Sequence, residues 1–308
     1  MIGIESIGSY IPEYRESNYL LLEKFNVDKS FLENKIGVQY KAIKHQDQDT
    51  SDMCLKAFQA LQSEAKIDIS EIDCLVVCTQ NPDGEGLPHT SSIVHGKLDA
   101  PDDCAAFDIN LGCSGYVYSL SIISQFMAGN GMQKGLLFTC DPYSKIIDPS
   151  DKNTSMLFGD AATVTLLSAN PRYRATSFAF GTKGKESHVL QRVKGQLVMN
   201  GRLVFSLSML CVPEQVNKVL QRVNLKVEDV DLFVFHQGSK YILDMLGKRL
   251  GLAPEKIINE IAEYGNTISS SIPLILERRI NDDHGNKNII ISGFGVGFSW
   301  ATCHLGRV

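Results

Sequence analysis

The 308-residue sequence contains no uninterrupted apolar run of the roughly 18 residues that would suggest a membrane span. Its first residues, MIGIESIGSYIPEYR, lack the basic stretch and apolar core of a secretory signal. Positive charge is not in excess either, since the formal net charge is -5 and the pI is near 5.8. We therefore expect a cytoplasmic protein that binds neither a membrane nor nucleic acid.

The eight cysteines form no CxxC pair and no ligand-spaced group with histidine. Neither a disulfide framework nor a metal site is therefore predicted. Without further context, each cysteine is explained as a small buried apolar residue. With 44% hydrophobic residues, the chain can bury one large core or two cores of about 150 residues each.

Short apolar runs alternate with amphipathic stretches, which is typical of an α/β protein, and two pieces of this pattern resemble each other. The segment SEIDCLVVCTQ covers residues 70–80, and VEDVDLFVFHQ covers residues 227–237. Each places an acidic residue, Asp73 or Asp231, directly before an apolar strand. This similarity indicates an internal repeat.

A second pair of segments keeps nearly the same separation. LGCSGYVYSLSIISQF leads to the strand GLLFTC, and YGNTISSSIPLILERRI leads to NIIISGFG. A glycine directly precedes Cys113 in the first segment and Asn266 in the second. We predict two duplicated α/β halves, residues 1–170 and 171–308, with the boundary near 168–175. In a pseudo-symmetric pair, Cys113 and Asn266 would occupy equivalent helix N-termini and share one site.

The same patterns predict the approximate positions of the regular elements. Strands are expected near residues 2–8, 72–79, 104–109, 135–140, 160–168, 176–181, 230–236, 288–292 and 298–305. Helices are expected near residues 51–65, 89–98, 114–129, 207–223, 239–250 and 268–282.

The segment DINLGCSGY places Cys113 at a turn between a predicted strand and a predicted helix. Flanking glycines relieve crowding there, and the N–H groups of the following helix would point at the sulfur. Because a helix N-terminus lowers the pKa of a cysteine, we expect Cys113 to be a nucleophilic thiolate. The alternative is a structural cysteine in a tight turn.

His236 and Asn266 are the candidate partners of this cysteine. His236 ends the apolar run LFVFH, at a strand end of the kind from which active-site groups emerge in α/β proteins. Taken alone, His236 is a structural histidine and Asn266 is an N-cap for the helix that follows. The repeat places both residues opposite Cys113 and therefore favours a shared site.

The segment GFGVGF, Gly293 to Phe298, has the pattern GxGxG and lies between two apolar strands. A dinucleotide-binding loop has the pattern GxGxxG and leads into a helix, so the pattern here does not favour a dinucleotide-binding site. Two alternatives remain. The segment is a plain hairpin, or its backbone N–H groups approach a developing oxyanion.

Six motifs occur here in the order found in β-ketoacyl-[acyl-carrier-protein] synthase III: NLGCSGYVYSL, FGDAA, MNGRLVF, VFHQGSK, YGNTISSSIP and GFGVGFSW. The sequence resembles this family over essentially its whole length. The resemblance implies a thiolase-like αβαβα fold with five layers, a homodimer, and decarboxylative Claisen condensation. It also implies an acyl carrier protein as partner, with acyl-CoA or acyl-carrier thioesters and a malonyl thioester as substrates and no cofactor.

By this resemblance, Cys113 is the nucleophile that carries the acyl group. His236 and Asn266 would hydrogen-bond the malonyl thioester carbonyl while carbon dioxide leaves. The N–H groups of Cys113 and Val296 correspond to the oxyanion hole of the acyl-transfer step.

Several positions depart from the family pattern. Phe31, Lys35 and Lys152 stand where acetyl-CoA enzymes have a stacking tryptophan and two arginines, so we expect a weaker grip on CoA. Leu87 replaces the phenylalanine that crosses the dimer to gate the acyl pocket, which is expected to widen that pocket. Together these changes favour a specialised pathway and a carrier-bound or longer acyl donor.

The carrier-docking region and the histidine motif also differ. Tyr241, beside Lys240, stands at the position of a carrier-docking arginine. The family motif HQxN reads HQGS here, from His236 to Ser239, which removes one expected support of the histidine.

Other functions are compatible with part of the pattern. An acyltransferase of the same fold would pass the Cys113-bound group to an alcohol or amine, and a non-catalytic scaffold is a third alternative. The presence of both His236 and Asn266 favours condensation. A thiolase proper is disfavoured because its second active cysteine would be Cys303, which lacks a glycine-flanked turn.

Overall fold

The computed structural model describes residues 1–282 and 284–308. In these residues the strands are β1 (Gly3–Tyr10), β2 (Arg15–Ser17), β3 (Tyr40–Ala42), β4 (Cys74–Cys78), β5 (Ala105–Ile109), β6 (Lys134–Cys140), β7 (Ala162–Ser168), β8 (Tyr173–Thr182), β9 (Leu190–Val193), β10 (Gln196–Met199), β11 (Leu232–Phe235), β12 (Asn288–Gly295) and β13 (Ser299–Arg307). The α-helices are α1 (Lys29–Phe31), α2 (Thr50–Glu64), α3 (Thr90–Leu98), α4 (Gly115–Gly129), α5 (Lys152–Ser155), α6 (Gly201–Arg222), α7 (Lys240–Leu250) and α8 (Ser271–Asn281).

The main sheet has the strand order β11-β12-β13-β8-β1-β7-β6-β4-β5. At its centre, β1 meets β8 through the residue pair Ile4 and Tyr173. From this point outward, one part runs β1, β7, β6, β4 and the other runs β8, β13, β12, β11, with β5 as an additional edge strand beside β4. The pair β4 and β6 is parallel, as is the pair β11 and β12, and in each part the next pair inward is antiparallel. The two parts therefore repeat one strand order.

The repeat extends to individual contacts. Asp73 and Asp231, which precede β4 and β11, each accept two backbone N–H groups where the neighbouring strand begins, at distances of 2.6–2.9 Å. The two aspartates that indicated the repeat in the sequence thus each bind the start of the neighbouring strand. The predicted boundary at residues 170/171 falls in the loop between β7 and β8, while the status of the halves as domains stays a prediction.

Three buried apolar clusters separate the layers. α4 and α8 pack between the two parts of the sheet, with Leu120 and Ile275 fully buried there. α2 and α3 cover the outer face of the first part, and α6 and α7 cover that of the second. This is the predicted αβαβα arrangement. The strands β4, β6, β11 and β12 are buried almost throughout, which explains their continuous apolar runs.

Two features differ from the sequence prediction. The helix expected from residue 207 begins at Gly201, where the Asn200 side chain caps it by accepting the N–H of Leu203 at 3.1 Å. The strands β9 and β10 form a hairpin that was not predicted. Its turn residues, Lys194 and Gly195, both have positive φ angles, 50° and 88°, as a two-residue type I′ turn requires.

Among the described residues, α6 has the length and composition of a membrane-spanning helix. Half of its apolar window is buried, and one face packs on β12 and β13 with Val212 and Val216 fully buried. A core helix of a globular protein has these properties too. The cytoplasmic location stays a prediction.

Candidate active site

A cavity of about 200 Å³ is lined by residues from both parts of the sheet. Cys113, His236 and Asn266 all line it. Each is 2–3% exposed. The structure therefore brings the three predicted catalytic residues to one enclosed site. Cys303, by contrast, is fully buried in β13.

The turn that carries Cys113 requires its flanking glycines. A Cβ atom at Gly112 would lie 2.5 Å from Oε1 of Gln80, and one at Gly115 would lie 2.5 Å from Sγ of Cys78. Neither approach leaves room for a side chain. The helix α4 begins two residues after Cys113, as the sequence predicted.

The glycine-rich segment is a hairpin that lies directly against the nucleophile. A Cβ atom at Gly295 would lie 2.7 Å from Sγ of Cys113, and one at Gly293 would lie 2.5 Å from the Cys113 carbonyl oxygen. The Val296 backbone lies close enough to the Cys113 sulfur to lower the pKa of the thiol. GFGVGF is therefore a tight hairpin beside Cys113, and the oxyanion role of its backbone N–H groups stays a prediction.

Burial dominates the acidity of the nucleophile. It raises the pKa of the Cys113 thiol to about 12, against the lowering effect of the Val296 backbone, and nearby Asp141 adds to the rise. The expectation of a lowered thiol pKa is therefore wrong. Desolvation penalises the thiolate more than the backbone donors stabilise it.

His236 follows β11, and its ring is held on two sides. Nδ1 lies 2.8 Å from the Ser271 hydroxyl, and the ring contacts Phe294 edge-on at 5.6 Å between centroids. Burial lowers the pKa of His236 to about 3. The imidazole is therefore neutral over the physiological pH range, with Nε2 directed toward Asn266 at 3.4 Å.

Asn266 both shapes the backbone and faces the histidine. Its Oδ1 accepts the N–H of Ile268 at 3.0 Å, which fixes the amide orientation. Its own N–H donates to the Leu157 carbonyl at 2.9 Å, and its carbonyl accepts the N–H of Gly159 at 3.0 Å. Asn266 is not the N-cap of the following helix, because Thr267 holds that position for the 3₁₀ turn Ile268–Ser270 and Ser270 holds it for α8. Its Oδ1 makes a local turn contact instead, which leaves Nδ2 for the site.

The altered HQGS motif retains two structural contacts. Gln237 is fully buried, and its Nε2 donates to the Phe235 carbonyl at 2.9 Å. Ser239 is the N-cap of α7, where its hydroxyl accepts the N–H of Ile242 at 3.3 Å. Ser271, rather than a residue of this motif, contacts the imidazole of His236.

The predicted donor-binding residues lie together at the same cavity. Nζ of Lys152 is 5.6 Å from the ring centre of Phe31, and Nζ of Lys35 is 3.8 Å from that of Tyr241. Tyr241 also stacks on Phe205, with 5.2 Å between ring centroids. Tyr241 was predicted for carrier docking, and the structure places it in the cavity wall.

Lys240 and Leu87 do not line this cavity. Nζ of Lys240 pairs with Asp244 at 2.6 Å on the surface of α7. Leu87 is 94% exposed, in the loop between β4 and α3. The roles predicted for them in carrier docking and in gating across a dimer stay predictions.

The sequence analysis missed cavity residues that come from the unpredicted hairpin and the early start of α6. These are Leu190, Met199, Val204 and Phe205. The segment LQRVKGQLVM did contain a hairpin signal. In it, Lys-Gly lies between two short stretches in which apolar and polar residues alternate.

Comparison with known proteins agrees with this architecture. The family description 3-oxoacyl-[acyl-carrier-protein] synthase III matches residues 107–184, and the description of its C-terminal part matches residues 220–306. The β-ketoacyl-[acyl-carrier-protein] synthase III of Streptococcus sanguinis is 31% identical, and the alignment covers 97% of each chain.

Solved structures of synthase III and of a related ketosynthase are also similar to this chain. The β-ketoacyl-[acyl-carrier-protein] synthase III of Thermus thermophilus superposes with a TM-score of 0.92 at 28% identity, covering 99% of each chain. The priming β-ketosynthase of the R1128 polyketide pathway superposes with a TM-score of 0.90 at 25% identity, covering 100% of this chain and 96% of that one. With these matches and the shared cavity of Cys113, His236 and Asn266, the chain belongs to the 3-oxoacyl-[acyl-carrier-protein] synthase III family.

Proposed function

We propose that this chain is a condensing acyltransferase, which loads an acyl group onto Cys113 and joins it to a malonyl thioester with loss of carbon dioxide. One observation carries the proposal. Nδ2 of Asn266 and Nε2 of His236 lie 3.4 Å apart, in the cavity that Cys113 also lines. Two nitrogen donors at this spacing can bind a single enolate oxygen.

The first step is acyl transfer. The Cys113 sulfur attacks the thioester carbonyl of the donor, the donor sulfur leaves, and the cysteine proton ends on that departing thiolate. The tetrahedral oxyanion is bound by the N–H groups of Cys113 and Val296. The closeness of the Val296 backbone to the Cys113 sulfur supports this assignment.

The second step is decarboxylation followed by carbon–carbon bond formation. The bond to the malonyl carboxylate breaks, and its electron pair stays on the substrate as an enolate. His236 and Asn266 hydrogen-bond the enolate oxygen. The enolate carbon then attacks the acyl carbonyl, and Cys113 leaves as the thiolate and takes up a proton. These steps use side chains, backbone donors and two thioesters, and we propose no cofactor.

The donor thioester is proposed to enter past Phe31, Lys35, Lys152 and Tyr241, and an acyl carrier protein to dock beside Lys240. The lysines carry the positive charge that a phosphate or an acidic carrier requires. A cavity wall containing Tyr241 can contact the arm of a carrier-bound substrate as well as CoA. Docking and substrate entry thus involve adjacent residues of α7.

A homodimer is part of the proposal. The edge strand β5 is hydrogen-bonded to β4 alone among the described residues, and Phe107 on it is half-buried. An edge of this kind pairs readily with another strand. Leu87, 94% exposed in the single chain, is the residue proposed to reach the acyl pocket of the second copy. Sedimentation of the purified protein tests the dimer.

The function is tested by separating the two half-reactions in His236→Ala and Asn266→Ala. Both variants should still be acylated at Cys113, as measured by the mass of the intact protein. Condensation with malonyl carrier thioester should fall about a hundredfold, since one preorganised donor contributes on the order of 3 kcal/mol. Cys113→Ala should not be acylated.

Asn259→Ala is the matched control. Asn259 is exposed, and its Oδ1 accepts the N–H of Ile261 at 3.4 Å, the same local contact that Asn266 makes. This variant should condense at the wild-type rate. Full condensation by Asn266→Ala, or transfer to an alcohol or amine without release of carbon dioxide, would contradict the proposal.

A further inference from the structure

A second, smaller cavity lies beside the cavity that Cys113 lines. Its volume is about 150 Å³. Leu190 lines both this cavity and the larger one, and Val296, whose backbone lies close to the Cys113 sulfur, lines the smaller one. An acyl group attached to Cys113 would therefore have this space available to it.

The cavity has a mixed wall. Leu190, Leu197 and Ile146 supply apolar surface, while the remaining wall carries amide, hydroxyl and guanidinium groups. These polar residues are Gln80, Asn81, Asn110, Tyr143, Gln191 and Arg192. Asn81 is buried and Gln80 is half-buried, while Asn110, Gln191 and Arg192 are exposed. A pocket for a plain alkyl chain would not need a buried amide such as that of Asn81, since burying it against hydrocarbon costs its hydrogen bonds to water.

Gln80 is held near Cys113 by two hydrogen bonds. Its backbone N–H donates to Oδ1 of Asp141 at 2.6 Å, and its Oε1 accepts the Tyr143 hydroxyl at 3.2 Å. A Cβ atom at Gly112 would come within 2.5 Å of this Oε1, so the amide stands next to the Cys113 turn. Because Oε1 accepts from Tyr143, Nε2 is the atom of this amide that can donate to a ligand oxygen.

Asn81 supplies an independent observation. It is 4% exposed and lines the same cavity. Within residues 1–282 and 284–308, its Nδ2 is buried and has no hydrogen-bond partner. A buried donor without a partner costs about 1–3 kcal/mol, which an acceptor on a bound ligand would offset.

We propose that the acyl group carried by Cys113 is short and bears a hydroxyl or keto oxygen, which the amides of Gln80 and Asn81 bind. The inference rests on the proposed function and names the class of its acyl donor. The cavity volume of about 150 Å³ favours a short acyl group. The donor is therefore shorter than the replacement at Leu87 led us to expect.

The test compares donors that differ by one oxygen. The rate of Cys113 acylation, as kcat/KM, is measured for butyryl, for both enantiomers of 3-hydroxybutyryl and for 3-oxobutyryl thioesters. Each group is offered on CoA and on an acyl carrier protein. For at least one oxygenated donor, kcat/KM should be about tenfold or more above that of butyryl on the same carrier. The reason is that a site built to hydrogen-bond a substrate discriminates against the analogue without that group.

Two variants assign the preference to the proposed residues. Gln80→Met keeps the side-chain length and removes the amide, and Tyr143→Phe removes only the hydroxyl that orients it. Both should reduce the ratio of kcat/KM for the oxygenated donor to kcat/KM for the butyryl donor. Gln221→Met, on the exposed face of α6, is the matched control and should keep the wild-type ratio.

The outcomes separate this inference from the proposed function. Acylation by butyryl at a rate equal to that of every oxygenated donor would overturn the inference and leave the condensing function intact. An unchanged ratio in both variants would overturn the role of Gln80. Failure of every thioester to acylate Cys113 would overturn the proposed function, and the inference with it.

Discussion

The Ser271 hydroxyl lies 2.8 Å from Nδ1 of His236, on the side of the ring opposite the one that faces Asn266. The same hydroxyl accepts the N–H of Gln237 at 3.4 Å and donates to the Ile268 carbonyl at 3.0 Å. When the Ser271 hydroxyl turns from this carbonyl to donate to Nδ1 of His236, the ring proton is on Nε2. This is the tautomer that can donate to an enolate oxygen beside Asn266, and it makes Ser271 a positioning residue.

Ser271→Ala should slow condensation about tenfold and leave acylation of Cys113 near the wild-type rate. The reason is that a buried imidazole without a partner at Nδ1 divides its population between two tautomers. Stopped-flow measurement of each half-reaction checks this. Ser124→Ala is the control, because Ser124 is buried on α4 and its hydroxyl has no partner among the described residues. Equal losses in both half-reactions would indicate a general structural effect instead.

Alkylation of Cys113 by iodoacetamide should accelerate about tenfold per pH unit from pH 7 to pH 9, without a plateau. Burial raises the pKa of this thiol to about 12, so the thiolate fraction stays far below one and grows with each unit of pH. Cys113→Ala measures the background from the other cysteines. A plateau below pH 8 would show instead that the helix N-terminus controls the acidity.

The sequence alone predicted the parts of the site that depend on local backbone geometry. The glycine-flanked turn at Cys113 and the strand end at His236 follow from short segments, and Asp73 and Asp231 mark the repeat because each binds the start of a neighbouring strand. The fold class follows from the same repeat. The sequence signal for each feature lies in a short segment, even where the contact it makes is distant, as between Asp73 and the N–H of Gln133.

The features of the site that the sequence did not predict depend on contacts between distant segments. The pKa of the Cys113 thiol is raised because residues such as Phe158 and Leu190 bury it. The effect of the helix N-terminus alone predicted a lowered pKa, which is the wrong direction. The contact of Ser271 with His236 spans 35 positions. The position of Tyr241 against Lys35 also arises only when α7 packs beside the π-helical turn that follows α1.

Gly295→Ala should reduce acylation of Cys113 about a hundredfold. A Cβ atom there would lie 2.7 Å from the Cys113 sulfur, so the turn must move and take the Val296 N–H with it. Loss of one oxyanion donor has an effect of this size. Gly129→Ala, where a Cβ atom meets nothing within 4 Å, should acylate normally. Thermal unfolding of both variants distinguishes a local loss from misfolding.

Free CoA thioesters should be poorer donors than carrier-bound thioesters of the same acyl group. Phe31 offers less stacking surface to adenine than tryptophan, and Lys152 lacks the planar fork of arginine. Nζ of Lys152 also lies over the Phe31 ring at 5.6 Å, so a nucleotide must displace this cation from the ring. The double variant Phe31→Trp with Lys152→Arg should raise kcat/KM for the CoA thioester and narrow its gap to the carrier thioester.

The chain offers a matched control for this double variant. Nζ of Lys24 lies 5.1 Å from the ring centre of Phe25, in a similar pair that does not line the cavity. Phe25→Trp with Lys24→Arg should leave the ratio of kcat/KM values for CoA and carrier thioesters unchanged. Because both double variants add the same two groups, only their place relative to the cavity differs. A wild-type enzyme that uses CoA and carrier thioesters equally well would show that Phe31 and Lys152 do not set the donor preference.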